Sequence, residues 1–469
     1  MGALSAELLA GGEDTIVAIA TPPGRGALAT IRVSGGRART VAEAIGAGTG
    51  QAPLQARMAT RVALRHPHTG LPLDDAVATL FVAPHSYTGE DVLELSTHGG
   101  QQVPRAVLAA IVATGCRPAL PGEFTRRAVL NGKLDLAQAE AIADLIDART
   151  AAMGRQALAQ LDGGLSRRIA AMRESLIGLE AMLVYDIDFP SEDDGPIAAG
   201  RVTEAASALL TALDALLATA PRAAMLRDGA LVVIAGPPNA GKSSLFNALL
   251  GDARALVTEY PGTTRDAIEA VIDRQSAPLR LVDTAGLRDT DDPIEKLGIE
   301  VSARYLANAR VVLACGASDD DVGRTVDVIR AATRASGATV LPVRTKVDVD
   351  GASAVTLRVS AERGDGLEGL LETIDGAVAA ANVDGTGHGG HAGDQGETVL
   401  VTRERHRVAL VAARTDVAAF LDAWRTDALP ATVAAVHLQA ARDSLGEVTG
   451  SIVLDDVLDR VFRDFCIGK

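Results

Sequence analysis

Aromatic side chains make up only 3% of this 469-residue chain, so its cores must be built mostly from Ala, Val and Leu. Cysteine is nearly absent. Cys116, Cys315 and Cys466 show no paired spacing, which excludes a disulfide framework and points to a reducing compartment. No run of 18 apolar residues is present, so no segment is expected to span a membrane. The N-terminal stretch carries Glu7, Glu13 and Asp14 and no basic residue before Arg25, unlike a signal peptide, and a cytoplasmic location is expected. The net charge of −15 argues against broad nonspecific binding to nucleic acid. Lysine is scarce too: of 45 basic residues five are lysines, at positions 133, 242, 296, 346 and 469. A chain of this composition that keeps lysine at so few places directs attention to each of them.

What is present begins with 48% hydrophobic residues in a chain long enough for about three domains. The stretch Gly236-Pro237-Pro238-Asn239-Ala240-Gly241-Lys242-Ser243 follows the β-branched run Leu231–Ala235 and leads into Ser244–Leu250, which reads as a helix start. Strand, glycine loop and helix are the context of a P-loop. There the backbone N–H groups, with Asn239, Ala240, Gly241 and Ser244 in the cradle, curl round nucleotide phosphates. Lys242 is expected on the β- and γ-phosphates and the Ser243 hydroxyl on Mg²⁺.

The motifs downstream select the nucleotide. Gly262-Thr263-Thr264-Arg265-Asp266 supplies a threonine hydroxyl, Thr264, to Mg²⁺, as a switch ordered by the γ-phosphate does. Asp283-Thr284-Ala285-Gly286 ends the apolar run Leu279–Val282, its Asp holding the metal through water and its Gly meeting the γ-phosphate. Thr345-Lys346-Val347-Asp348 closes the run Thr339–Val343. The Asp348 carboxylate can accept from N1–H and the 2-amino group of guanine, an edge adenine lacks. Ser360-Ala361 suits a backbone contact to guanine O6. In this order and spacing the motifs specify a GTPase.

Along the chain, the alternating runs Thr15–Ala20, Ala27–Val33, Ala76–Val82 and Val92–Thr97, with a helix from Val103 to Ala113, predict an N-terminal α+β domain over 1–132. Pro22-Pro23-Gly24-Arg25-Gly26 reads as a turn, and His98 as a turn or cap residue rather than a ligand. Helical periodicity places Ile142, Leu145 and Ile146 on one face. Ile169, Met172, Leu176, Leu179 and Leu183 form a bundle seam that Asp186–Pro190 breaks, and Leu209, Leu213 and Leu216 mark a further helix, the whole spanning 133–228. The GTPase domain takes 229–380, a flexible Gly/His/Asp insert 381–396, and a second helical part 397–469, with Val417, Phe420, Leu421 and Trp424 in one helix and Leu454, Val457, Leu458, Val461 and Phe465 in another. The architecture expected is multi-domain α/β and α, a Ras-like G domain inserted into a helical domain.

The stretches Ala20–Gly26, Tyr87–Leu95, Pro121–Phe124, Asn131–Glu140, Asp186–Pro190 and Cys466-Ile467-Gly468-Lys469 make the chain resemble the bacterial MnmE (TrmE) family of tRNA-modification GTPases over nearly its whole length. The resemblance implies an N-terminal folate-binding domain through which the chain forms a homodimer. It also implies a flavin- and NADH-dependent partner joined in a heterotetramer, with tRNA as substrate. Together the two proteins add an aminomethyl or carboxymethylaminomethyl group to C5 of the wobble uridine, position 34, of certain tRNAs, the one-carbon unit coming from a tetrahydrofolate derivative (5,10-methylene or 5-formyl). By the same resemblance Arg32, Glu94, Lys133 and Lys469 contact the folate, and Cys466 lies by the modification site. Asn239 and Thr258 ligate a K⁺ through side-chain oxygens, Tyr260 and Thr263 contribute carbonyls, and Glu295 orients the attacking water. The chain departs from the family at Pro237, where Arg is commoner, and at Thr345, which replaces Asn; a threonine hydroxyl still donates across the loop. The contrasting readings are an Era-type ribosome-assembly GTPase, which calls for a basic RNA-binding domain not seen here, and a GTP-dependent scaffold that merely dimerises.

Overall fold

The computed structural model describes residues 14–47, 53–148, 150–188, 199–252, 255–256, 268–274, 277–283, 305–334, 337–349, 354–383, 400–426, 431–451, 458, 461–462, 465–466 and 468. They form two compact units, one of residues 1–143 with 446–469 and one of residues 144–445.

In the first unit β1 (Ile16–Ile19), β2 (Leu28–Ser34), β3 (Thr60–Arg65), β4 (Pro72–Phe81), β5 (Val92–His98) and β6 (Arg117–Pro118) form one sheet in the order β3-β4-β5-β2-β1-β6. Side chains alternate across a pleated strand, so one face of each strand is apolar. Val17, Ile31, Val33, Leu64, Leu80, Leu93 and Leu95 pack with Val41 and Ile45 of the helix Ala38–Ala44 and with Val107 and Ile111 of the helix Gln102–Val112. The opposite face meets the helix Glu123–Leu130 through Ile16, Ala18, Ala119 and Phe124. Leu136 and Ala139 of the helix Leu136–Ile146 then cluster with Leu458, Phe462 and Phe465 from the far end of the chain.

The second unit holds a seven-stranded sheet with order β13-β12-β11-β7-β10-β9-β8. Its strands are β7 (Ala230–Ala235), β8 (Ala255–Leu256), β9 (Ile268–Ile272), β10 (Leu279–Asp283), β11 (Val311–Gly316), β12 (Thr339–Arg344) and β13 (Leu357–Arg358). Strands β7 and β10 to β13 run parallel, and β9 is antiparallel to β10. A parallel strand is covered on both faces, which is why β7 is apolar throughout. Val232 and Ile234 face Leu245 and Leu249 of the helix Lys242–Asp252 and Leu370 and Ile374 of the helix Leu367–Val383. Leu231 and Val233 face Val322, Val326 and Ile329 of the helix Asp319–Ala332.

The remaining described helices of this unit are Ala151–Leu161, Gly164–Asp188, Ala199–Leu217, Ala220–Asp228, Glu404–Thr426 and most of Ala431–Thr449. The seam Ile169, Met172, Leu176, Leu179, Leu183 is buried as its spacing predicts. The helix Gly164–Asp188 ends inside the stretch Asp186–Pro190, whose Phe189 and Pro190 lie outside the described residues. One expectation needs correction. Ile146 is exposed, although Ile142 on the same helix face is buried. One described helical stretch, Gly200–Asp228, is also long and apolar enough by composition to cross a membrane. Its Leu209, Leu213 and Leu216 are buried and Asp214 pairs with Arg414, so one face of it packs within this unit.

Candidate functional site

The nucleotide loop hangs from the carboxyl end of β7, between the central strand and the helix it feeds. Gly236 lies so close to β11 that a Cβ there would stand 2.3 Å from the Cys315 carbonyl oxygen, so no larger residue fits. Asn239 and Gly241 take left-handed backbone angles, φ 59° and +80°. Asparagine tolerates this better than most residues. Lys242 is buried and its ammonium donates to the Pro237 carbonyl at 2.8 Å, which folds the cation back into the loop it would share with phosphate oxygens. Asp283, also buried, ends β10 directly opposite Ile234 of β7. The Cys315 thiol beneath them is pushed up to about 12, by burial first, with Lys242 opposing and Asp283 adding to the shift. The exposed Ser243 hydroxyl and the Asp283 carboxylate are hard oxygen donors of the kind Mg²⁺ takes. Among the described residues no group of three or more His, Cys, Asp or Glu side chains could hold a metal.

The residues expected to meet the base come together at the loops after β12 and β13. The lining of a cavity of about 270 Å³ there includes Gly241, Thr345, Lys346, Asp348, Val349 and Ala361. Thr345 does what its substitution for asparagine requires: its hydroxyl lies 2.6 Å from the Ala240 carbonyl and 2.9 Å from that of Gly316, bridging the two loops. Ser360 donates its hydroxyl to Asp348 at 2.8 Å. That hydrogen bond, before any other influence, holds the Asp348 carboxyl below its ordinary value and keeps it an acceptor. Sequence reasoning gave Ser360 only a backbone role and missed this contact. Thr258, Tyr260, Thr263, Thr264, Thr284, Ala285, Gly286 and Glu295 lie outside the described residues.

The second constellation is in the first unit. The register of β2 on β5 sets Arg32 directly opposite Glu94, and the two form an ion pair at 2.8 Å. The Arg32 guanidinium also lies over the Tyr87 ring at 5.0 Å and the Phe124 ring at 5.7 Å. Its remaining nitrogen reaches the Gly468 carbonyl at 3.4 Å, bringing the chain's end to the sheet. Lys133 is exposed, its stem beside the turn at Gly89, and the neighbouring Asn131 amide donates to the Thr88 carbonyl at 2.7 Å. Cys466 is exposed whereas Cys116 and Cys315 are buried. Lys469 lies outside the described residues.

Beneath this site is a charged cluster that sequence reasoning did not single out. Buried Arg127 pairs with Glu123, Glu90 and Asp14, and Arg117 pairs with Glu123 and Asp14. Ser34 donates to Glu90 at 2.6 Å, tying the cluster to β2. The sequence signals are Glu90 in Tyr87–Leu95 and Glu123 in Pro121–Phe124, each legible there only as part of a motif. Burial works to raise the Glu123 and Asp14 carboxyls, but the arginine hydrogen bonds outweigh it and both end below their ordinary values. A depressed folded-state value stabilises the fold above the unfolded value and is lost as pH falls through the folded one. Unit-one stability therefore drops below about pH 4.5. The Glu123→Gln variant should be less stable at neutral pH and lose less on acidification, read by hydrogen exchange of the β1 and β6 amides. An unchanged pH slope would contradict the assignment.

Two family models match the chain. The family model described as "GTP-binding protein TrmE N-terminus" matches residues 15–133, and that of the "MnmE helical domain" matches 136–466. The tRNA modification GTPase MnmE of Azoarcus sp. (strain BH72) is 43% identical over 464 residues, covering 97% of this chain and 98% of its own. That of Heliobacterium modesticaldum is 41% identical over 469 residues, with coverage of 97% and 99%. That of Methylobacterium radiotolerans is 43% identical over 470 residues, again covering 97% and 99%. Among solved structures the G domain of the T. maritima FeoB iron transporter covers 31% of this chain and 97% of its own, at 23% identity and a TM-score of 0.25, too slight a likeness to weigh on the fold.

Proposed function

The chain belongs to the MnmE family of tRNA modification GTPases, and from that premise we propose that it couples GTP hydrolysis to one-carbon modification at C5 of a wobble uridine. The observation that carries the reading is the meeting of Arg32, Glu94 and the Cys466–Gly468 end on one face of the first unit, while the second unit presents the phosphate loop and base pocket. Nothing among the described residues favours the Era-type reading.

In this proposal Lys242 and the loop amides would neutralise the triphosphate, Ser243 and Thr264 would hold Mg²⁺ with Asp283 acting through water, and Asp348 would select guanine. Magnesium would supply charge neutralisation at the phosphates. Asn239, Thr258, Tyr260 and Thr263 would hold K⁺, and Glu295 would orient the water. Arg32 and Lys133 are cations suited to the glutamate carboxylates of a tetrahydrofolate derivative, with Glu94 fixing Arg32 and Lys469 completing the set. A homodimer through residues 1–132, a flavin- and NADH-dependent partner, the tRNA substrate and a cytoplasmic place complete the proposal.

Charge-assisted contacts contribute about 1.5–3 kcal/mol each, so Arg32→Ala or Lys133→Ala should weaken folate binding about tenfold to a hundredfold and leave GTP affinity unchanged. Calorimetry with 5-formyltetrahydrofolate decides this, and unaltered affinity in both variants would refute the folate assignment. Cys466→Ser should hydrolyse GTP at the parent rate yet leave wobble uridines unmodified by mass spectrometry of tRNA from a complemented deletion strain. Equal loss of both activities would make Cys466 structural.

A further inference from the structure

A cavity of about 660 Å³ lies within the second unit, apart from the nucleotide loop and the base pocket. Small-molecule sites ordinarily take about 300–1,000 Å³. Ile146, Met153 and Leu226 line it from helices, and Val271 and Pro278 line it from the β9–β10 hairpin. Pro278 precedes β10, whose far end is Asp283, so about 16 Å of strand separates the cavity from the metal side of the nucleotide site. Ala157, Gln160, Ala223 and Thr402 are buried at its floor, whereas Ile146 and Asp147 are exposed at its mouth. The polar groups of the lining fall into two sets. Asp144 pairs with Arg403 at 2.6 Å and Arg227 with Asp228 at 2.8 Å. Arg227 also donates to the Thr402 carbonyl at 2.6 Å, and the Thr402 hydroxyl donates to Gln160 at 2.7 Å. These groups are committed to one another, and an occupant that took one would leave its partner unpaired. The side chains of Asp147 and Gln156 have no hydrogen bond or ion pair among the described residues. The two ion pairs cancel in charge, which leaves the single negative charge of Asp147 unspent at the mouth.

We propose that this cavity binds a small organic cation with an apolar body. Asp147 holds its ammonium head, the Gln156 amide meets one hydrogen-bonding group, and Met153, Leu226, Val271 and Pro278 cover the body. Glutamine carries both a donor and an acceptor, so that group can be of either kind. An anion, RNA phosphate included, is excluded: Arg227 is already spent on Asp228 and the Thr402 carbonyl, and Asp147 would repel it. The site is independent of the one-carbon reading above.

The test titrates full-length protein with dansylcadaverine, an alkylammonium joined through a sulfonamide to a naphthalene whose emission rises in apolar surroundings. Dansylglycine, the same ring system carrying a carboxylate, is the matched anion. The parent should bind dansylcadaverine saturably at one site and dansylglycine at least about tenfold more weakly. Asp147→Asn should weaken the cation about threefold to tenfold, between an exposed ion pair and a charge-assisted hydrogen bond, and narrow its lead over the anion. Ala157→Leu fills the floor and should weaken both probes about tenfold or more with GTP affinity unchanged. Ala223→Leu replaces it if its thermal midpoint falls below the parent's. Asp327→Asn removes an exposed charge from the helix Asp319–Ala332, which does not line the cavity, and should match the parent. Absence of saturable binding, or equal affinity for the two probes in the parent, would overturn the site. So would parent-like binding in both Asp147→Asn and the filled variant. A loss in Asp327→Asn equal to that in Asp147→Asn would reduce the binding to surface charge and overturn it too.

Discussion

Asp348→Asn should bind GTP about 10²–10⁴-fold more weakly than the parent, because two hydrogen bonds to an ionised carboxylate are lost at once. The parent carboxylate is an acceptor on both oxygens, with Ser360 donating to one of them and holding the group ionised. Guanine offers two donors on that edge, N1–H and the 2-amino group. An asparagine amide there turns one acceptor into a donor that faces another donor. Xanthine carries a carbonyl at C2, so the same variant should gain xanthosine triphosphate as a ligand. Ser360→Ala makes the milder change, removing the hydroxyl but not the charge, and should weaken GTP only a few-fold. Titration with fluorescent nucleotides measures all three, and GTP affinity unchanged in Asp348→Asn would remove Asp348 from the base pocket.

Hydrolysis should be faster in K⁺ than in Na⁺ at equal ionic strength, by up to about 10³-fold, the lower end of what a cationic finger contributes at the γ-phosphate. The loop holds Asn239 exposed at its apex with a left-handed backbone, its side-chain oxygen available to a cation. Potassium placed there would neutralise charge developing on the phosphoryl oxygens, where other GTPases use a guanidinium. Asn239→Ala should remove most of the difference between the two salts and leave nucleotide affinity near the parent's. Glu295→Ala should slow hydrolysis in both salts with affinity nearly intact. Equal parent rates in K⁺ and Na⁺ would exclude the cation mechanism.

The nucleotide loop was legible from sequence because its requirements are local. Consecutive residues make the strand, the turn and the helix start, so Gly236–Ser243 carries its own geometry. The same holds for β10 and β12, each an apolar run ending in a chemically distinctive residue. Strands β3 and β11 were not singled out, since neither is punctuated by a motif and an apolar run alone does not say what it pairs with.

Arg32 and Glu94 were named by family resemblance, but only the register of β2 on β5 makes them partners, because cross-strand pairing joins residues 62 apart through a sheet no local pattern encodes. The paired arginines were invisible for a related reason. In sequence Arg117 and Arg127 resemble any of the chain's many surface arginines, and it is the convergence of Asp14, Glu90 and Glu123 from separate segments that pairs both and allows Arg127 to be buried. The chain's end shows the division most plainly. Sequence alone determined that Cys466-Ile467-Gly468-Lys469 closes an apolar helical pattern; the tertiary structure decided where it goes, since the glycines at 122 and 468 leave room for close backbone approach only once Phe465 and Ala20 have been brought against them.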